Sequence, residues 1–168
     1  MGRRRLPAAA KSPYITADGY AALQHETRCL WQKRTEVTAA LAAAAAEGDR
    51  SENAEYIYRK KELAGIDRRI RYLQKRMPDL KVIRKVPDNP EQVFFGAWVE
   101  LEDESGNTVT YRVVGPDELD LQNGWISIDS PLARALMKKS IDDDVRVSTP
   151  EGEREYVVVA VSYSSPCS

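Results

Sequence analysis

The chain has almost none of the residues from which a self-contained metal or nucleophile site is usually built. It carries one histidine, His25, and two cysteines, Cys29 and Cys167, in 168 residues. The cysteines lack metal-type spacing, and their scarcity suits a reducing cytoplasm. A lone histidine cannot anchor a His-rich metal site. No run of about 18 apolar residues occurs, so no membrane span is expected. Arg3, Arg4 and Arg5 have no apolar stretch behind them, so no secretory leader is expected. No nucleophile–base set is evident, and no internal repeat is visible.

What the chain does have is charge, unevenly placed. Its net charge is −1, but residues 1–84 carry +8 and residues 85–168 carry −9. A basic half can approach nucleic acid or an acidic surface, whereas an acidic half suits a basic protein partner. The division predicts two units with separate partners.

The patterning divides at the same place. Residues 1–13 are basic and broken by Pro7 and Pro13, and read as a flexible tail. Thr16 is the expected N-cap of a helix running to about Ala46. Leu23, Leu30, Val37 and Ala44 recur every seven residues, an imperfect heptad seam in which Arg34 must snorkel. The run Ala39–Ala46 allows two helices to approach closely. Gly48 breaks the first helix. A second starts near Ser51, carries Tyr56, Arg59, Leu63, Ile66, Ile70, Leu73 and Met77 at spacings of three and four, and ends at Pro78. Residues 14–78 thus form an antiparallel helical hairpin roughly 40 Å long at about 1.5 Å per residue.

Residues 79–168 change period. Val93–Leu101 reads as a strand, Glu104–Asn107 as a turn and Thr108–Val114 as its hairpin partner. Further strands are expected at Trp125–Ile128, Asp144–Ser148 and Glu155–Val161, with a short helix from Pro131 to Lys138. The fold class is therefore α+β: a coiled-coil hairpin followed by a small, mostly antiparallel sheet with one helix.

The most informative stretch is Glu47-Gly48-Asp49-Arg50-Ser51-Glu52-Asn53-Ala54-Glu55-Tyr56. It gathers four acids and one base where the first helical pattern stops and the second begins. Carboxylates at a hairpin tip can be pushed into another molecule, and oxygen ligands there suit a hard cation such as Mg²⁺. Asp49 and Glu52 also match a capping box, with Asp49 capping and Glu52 reaching back; Ser51 could equally be the cap. Asn53 and Tyr56 could position the tip or simply pack.

The residues Gly48–Tyr56, Val93-Phe94-Phe95-Gly96-Ala97-Trp98-Val99-Glu100 and Ile126-Ser127-Ile128-Asp129-Ser130-Pro131-Leu132-Ala133-Arg134-Ala135-Leu136 together resemble the Gre transcript-cleavage factors of bacteria, their GreB branch in particular. The resemblance runs from Tyr14 to Tyr163. It implies an FKBP-like fold for the second domain, which would grip the rim of the secondary channel of bacterial RNA polymerase while the hairpin enters it. The polymerase would then cut the nascent RNA 3′ end of a backtracked complex. The family's essential acidic pair maps onto Asp49 and Glu52, which would complete the shell of a second Mg²⁺ shared with the polymerase. No tightly bound cofactor is implied.

Arg59, Lys60, Lys61, Arg68, Arg69, Arg71, Lys75 and Arg76 line the second helix. They form a solvated face or, as the resemblance implies, a patch that holds extruded RNA by its phosphates. Asp129, Ser130 and Pro131 match the family's polymerase-docking motif, and also read as a helix cap followed by a first-turn proline. The chain is expected to be a cytoplasmic monomer and a stimulator, not an enzyme in itself. The rival readings are a channel-binding relative that inhibits the polymerase and a non-catalytic coiled-coil adaptor or chaperone. Prolyl isomerase activity does not follow from an FKBP-like fold.

Overall fold

The computed structural model describes residues 9–48 and 52–165. These divide into two compact units, one comprising Asp18–Leu80 and the other combining the segment up to Ala17 with Lys81 onward.

The helical unit is a hairpin of α1 (Ala17–Ala46) and α2 (Ala54–Arg76), ended by a 3₁₀ turn at Met77–Asp79. Both helices are rich in good helix formers, and Pro78 falls where the ladder no longer needs its missing N–H. The seam is apolar at its centre, with Val37, Ile66 and Ile70 buried and Leu30 and Leu63 packed beside them. Leu23, Leu73 and Ala44 are also buried. Full burial of each large aliphatic chain contributes about 1.5–3 kcal/mol before entropy is counted. Ion pairs join the two helices along the seam's margins. Arg69 donates two hydrogen bonds to Glu26, at 2.6 and 2.8 Å. Arg34 reaches Asp67 at 2.7 Å and Lys33 reaches Glu62 at 3.1 Å. Arg34 does snorkel from the seam, and its guanidinium finds an acid on the other helix. Each pair contributes at most about 1 kcal/mol at this exposure. Their larger effect is on register, since the pairing fits one alignment of the helices.

The sheet unit holds five strands in the order β5-β4-β3-β7-β6. They are β3 (Trp98–Asp103), β4 (Thr108–Val114), β5 (Trp125–Ser127), β6 (Asp144–Thr149) and β7 (Gly152–Ser162). All neighbours are antiparallel except β4 and β5. The turn between β3 and β4 is tied by Asp103, which accepts from the amides of Ser105 and Asn107 at 2.9 Å each. Those hydrogen bonds, the Asn107 amide foremost, hold the Asp103 carboxyl below its ordinary value. A short helix, α3 (Pro131–Leu136), closes the core of Val93, Val99, Leu101, Val113, Ile126, Leu136, Val145 and Val158. The architecture is α+β.

Two elements differ from the sequence expectation. The first strand of the sheet begins at Trp98 rather than Val93. Gly96 has φ 86°, and the chain turns there. Val93 pairs instead with the segment after α3, its amide donating to Lys139 O at 2.8 Å and its carbonyl accepting from Lys138 N at 2.8 Å. The second difference is at Thr16. It directly precedes α1 and also ends a short strand, β1 (Tyr14–Thr16), parallel to β2 (Lys81–Ile83). Its hydroxyl is taken by Glu118. Residues 12–16, placed by sequence partly in a loose tail and partly in the hairpin, are held by the sheet unit.

Glu118 is a buried carboxylate that accepts from the amides of Thr16 at 3.0 Å and Gly115 at 2.9 Å, besides the Thr16 hydroxyl. The backbones meet closely here: a Cβ on Gly115 would sit 2.0 Å from the Tyr14 carbonyl oxygen. Buried amides left without an acceptor are costly. Glu118→Ala should therefore lower stability by about 3 kcal/mol, read from the urea midpoint by tryptophan fluorescence. A loss below about 1 kcal/mol would mean that strand pairing alone secures β1. In the hairpin, Lys33 foremost, with Arg59, holds the Glu62 carboxyl below its ordinary 4.5. A depressed acid stabilises above its unfolded value and loses that contribution as pH falls through the folded one. Melting followed by circular dichroism from pH 6 to pH 3 should show wild type more stable than Glu62→Gln at pH 6, the gap closing toward pH 3; a constant gap would exclude the ionic origin.

Candidate functional site

The tip of the hairpin is built from the way two helix ends are satisfied. A helix leaves its last four carbonyls and first four amides without partners. At the start of α2 the N-cap is Asn53, extended at φ −83° and ψ 98°, whose Oδ1 accepts the Tyr56 amide at 3.0 Å. The same side chain turns its other end to α1, and Nδ2 donates to the Ala44 carbonyl at 2.7 Å. One amide therefore caps one helix and grips the last turn of the other. Ala44 is buried to 3% exposure. A methyl at that place lets the two backbones come within reach of a short side chain.

Glu52 directly precedes this cap. It is exposed, outside the helix, and makes no hydrogen bond or ion pair among the described residues. The capping-box geometry does not apply to it, because the cap is Asn53 and α2 starts one residue later. Asp49 and Ser51 lie outside the described residues. Tyr56, left open by sequence as a packing or positioning residue, is half-buried and supplies the capped amide.

The eight basic residues of α2 separate into two groups. Arg59 is bonded to Glu55 at 2.8 Å and Glu62 at 3.0 Å, and Arg69 to Glu26. Those acids raise the Arg59 guanidinium above its ordinary value, the hydrogen bond it donates to Glu55 most. Arg69 also lies 5.3 Å from the Tyr72 ring. Both arginines are engaged within the hairpin, and Arg76 is half-buried with a partner of its own. The other five, Lys60, Lys61, Arg68, Arg71 and Lys75, are exposed and make no ion pair among the described residues. At 3.6 residues per turn they fall within an arc of about 100°, on the side of α2 away from Ile66, Ile70 and Leu73. They run for roughly 22 Å along the axis. Sequence spacing could not separate the groups, since the partner acids lie partly on the other helix.

In the sheet unit the three-residue motif does local work. Ser130 is the N-cap of α3, its Oγ accepting the Ala133 amide at 3.2 Å, and Pro131 takes the first turn. Asp129 accepts the Ser12 amide at 2.9 Å and also the Ser12 hydroxyl. Its own amide donates to Ser127 Oγ at 3.1 Å. Sequence reasoning missed the partners of Asp129 and Glu118, which lie 117 and 102 residues away. It also left the role of Asn53 open, although Asn is among the strongest N-cap residues.

Two family models match the chain. One, described as "Transcription elongation factor, N-terminal", matches residues 13–82, and the other, "Transcription elongation factor, GreA/GreB, C-term", matches residues 87–163. The chain is 57% identical over 167 residues to the transcription elongation factor GreB of Xanthomonas axonopodis pv. citri, with 98% of this chain and 99% of that one covered. It is 56% identical over 164 residues to the protein of the same name from Pseudomonas aeruginosa, covering 97% and 98%. Among solved structures, GreA factor homolog 1 (Gfh1) of Thermus thermophilus is similar at 28% identity, with 90% of this chain and 99% of that one covered and a TM-score of 0.42.

Proposed function

Because the chain belongs to the GreA/GreB family of transcription elongation factors, we propose that it acts from within the secondary channel of bacterial RNA polymerase, stimulating that enzyme's own cleavage of backtracked RNA. The observation that carries the reading is Glu52: an exposed carboxylate at the hairpin turn with no ion pair among the described residues, one residue before a capped helix start. Asp49 is its sequence partner in the same acidic segment. A hard divalent cation takes carboxylate oxygens, and Mg²⁺ keeps most of its shell for water and substrate phosphates. Two carboxylates suffice to complete the shell of an ion held mainly by a partner, and do not suffice to hold it alone. Among the described residues no group of three or more His, Cys, Asp or Glu is placed to hold a metal. A set of two carboxylates fits an ion shared in the complex. A second divalent ion supplies charge stabilisation and an activated water in phosphodiester hydrolysis. The chain's contribution is to bring oxygen ligands to that ion and orient them, so the factor stimulates and the polymerase cleaves.

The free basic stripe of α2 supports the RNA half of this reading. Lys60, Lys61, Arg68, Arg71 and Lys75 have no acid to neutralise them among the described residues, so their charge is available to phosphates. Arg69 contributes mainly by joining the two helices, and Arg59 is taken up by Glu55 and Glu62 of its own helix. Asp129, Ser130 and Pro131 are the proposed polymerase-docking motif, in which Ser130 and Pro131 set the start of α3 and Asp129 ties the loop to Ser12. The setting is the cytoplasm, where polymerase and nascent RNA meet.

Cleavage of RNA in stalled elongation complexes tests the chemistry. Glu52→Gln and Asp49→Asn should each slow stimulated cleavage about 100-fold or more, within the range seen for loss of a transition-state charge stabiliser, while binding to polymerase is kept. Cleavage at the wild-type rate by both variants would remove the mechanism, and slowed cleavage by the wild-type factor would point to the inhibitory relative instead. The stripe is tested by salt. Replacing Arg68, Arg71 and Lys75 with alanine should flatten the dependence of RNA crosslinking on salt by up to about 2 in the log–log slope, at about 0.7 per lost phosphate contact. The same substitution of Arg59 alone should leave that slope unchanged and lower the melting temperature. An unchanged slope in the triple variant would return the stripe to ordinary solvated surface.

A further inference from the structure

We infer that Asn53 is a positioning residue for the tip carboxylate of Glu52, acting through its hydrogen bond to the Ala44 carbonyl rather than through its cap. The inference rests on the proposed action of Glu52 at a shared ion, and goes beyond it by naming what holds Glu52 in place.

Asn53 has two polar ends, and both are used. An N-cap needs only the acceptor, which takes the Tyr56 amide at 3.0 Å. Serine, threonine and aspartate do that equally well. The second bond, from Nδ2 to the Ala44 carbonyl at 2.7 Å, needs an amide donor on a side chain of this length. Among common N-cap residues only asparagine carries both ends. The bond joins positions 44 and 53 and closes the base of the connecting turn. The Ala44 carbonyl also accepts the Glu47 amide at 3.3 Å, so both ends of the connection converge on one oxygen. Ala44 is buried, which keeps water from competing for that acceptor. Glu52 is one peptide from the closure, its Cα about 3.8 Å from that of Asn53. Its backbone origin is therefore fixed by the cap on one helix and the grip on the other. A carboxylate that must reach an ion held elsewhere gains from such fixing, because disorder removed beforehand need not be removed on binding.

Two variants separate cap from clamp. Asn53→Asp keeps an acceptor for Tyr56, places an anion at a helix N-terminus where it is favoured, and sets oxygen against oxygen at Ala44. Asn53→Ser keeps the cap and falls short of Ala44. Both should melt within about 4 °C of wild type, since the cap survives, and should bind polymerase as wild type does. In the free factor, the ¹⁵N order parameter of the Glu52 amide should fall below about 0.6 from a rigid value near 0.85. In stalled complexes at saturating factor, cleavage should slow about ten-fold and half-maximal Mg²⁺ rise about ten-fold, as for loss of an outer-shell partner of a metal ligand. Retention of the wild-type order parameter, rate and Mg²⁺ requirement by both variants would make Asn53 a cap only and overturn the inference. Glu52→Gln is measured beside them. An inactive Glu52→Gln with fully active Asn53 variants defeats the clamp alone, whereas a fully active Glu52→Gln defeats the reading on which it rests.

Discussion

The hairpin depends on how closely two helices can approach at their shared end. Helix termini bring orphan amides and carbonyls that must be satisfied, and a short connection leaves few groups to do it. Here a single amide serves both sides, accepting from Tyr56 and donating to Ala44. That arrangement is possible only where the facing residue of α1 is small. The alanine-rich end of α1 is thus explained by more than propensity. Toward the middle of the hairpin the seam buries Val37, Ile66 and Ile70, and burial of branched side chains takes over from hydrogen bonding as the main cohesive term.

Charge then decides what each surface is free to do. On α2, Glu55 and Glu62 of the same helix neutralise Arg59, while Glu26 of α1 neutralises Arg69 in a pair that fits one register. The five remaining cations share one arc and lack such partners among the described residues. The distinction matters because a guanidinium already bonded to a carboxylate must give up that bond to take a phosphate. A free one gives up only water. A count of eight basic residues therefore overstates the charge that α2 leaves unpaired among the described residues.

Much of the fold was legible because its signals are periodic. The heptad of Leu23, Leu30, Val37 and Ala44 marks the face that the structure packs inward, and alternation in Thr108–Val114 marks a strand. The turn at Glu104–Asn107 carried its own chemistry in Asp103 and Gly106. What periodicity could not give was the start of β3, because Val93–Ala97 is as apolar as a strand. Its pairing partner is the segment after α3, and Gly96 turns the chain before Trp98. Apolar composition says that a segment is buried, without saying which neighbour takes its hydrogen bonds. The acidic segment was legible as a concentration of charge at a break between helices. The residue that organises it was not, since Asn53 looks like an ordinary cap until the Ala44 carbonyl is seen opposite.

The polar contacts around residues 12–16 show the same limit from another side. Thr16 has the sequence features of a helix cap, and in isolation it would serve as one. The structure also has its hydroxyl and amide donate to Glu118, and Ser12 donate to Asp129. Both acids come from loops of the sheet unit more than 100 residues along the chain. A buried carboxylate draws several donors to itself, because its own desolvation must be offset by hydrogen bonds. The strand β1 exists because Glu118 fixes its end and Lys81–Ile83 pairs along its length. The close approach of Gly115 to Tyr14 leaves no room for a side chain between them. The three constraints act on the same three residues, so the segment Tyr14–Thr16 is set by the sheet unit's polar loops as well as by strand pairing.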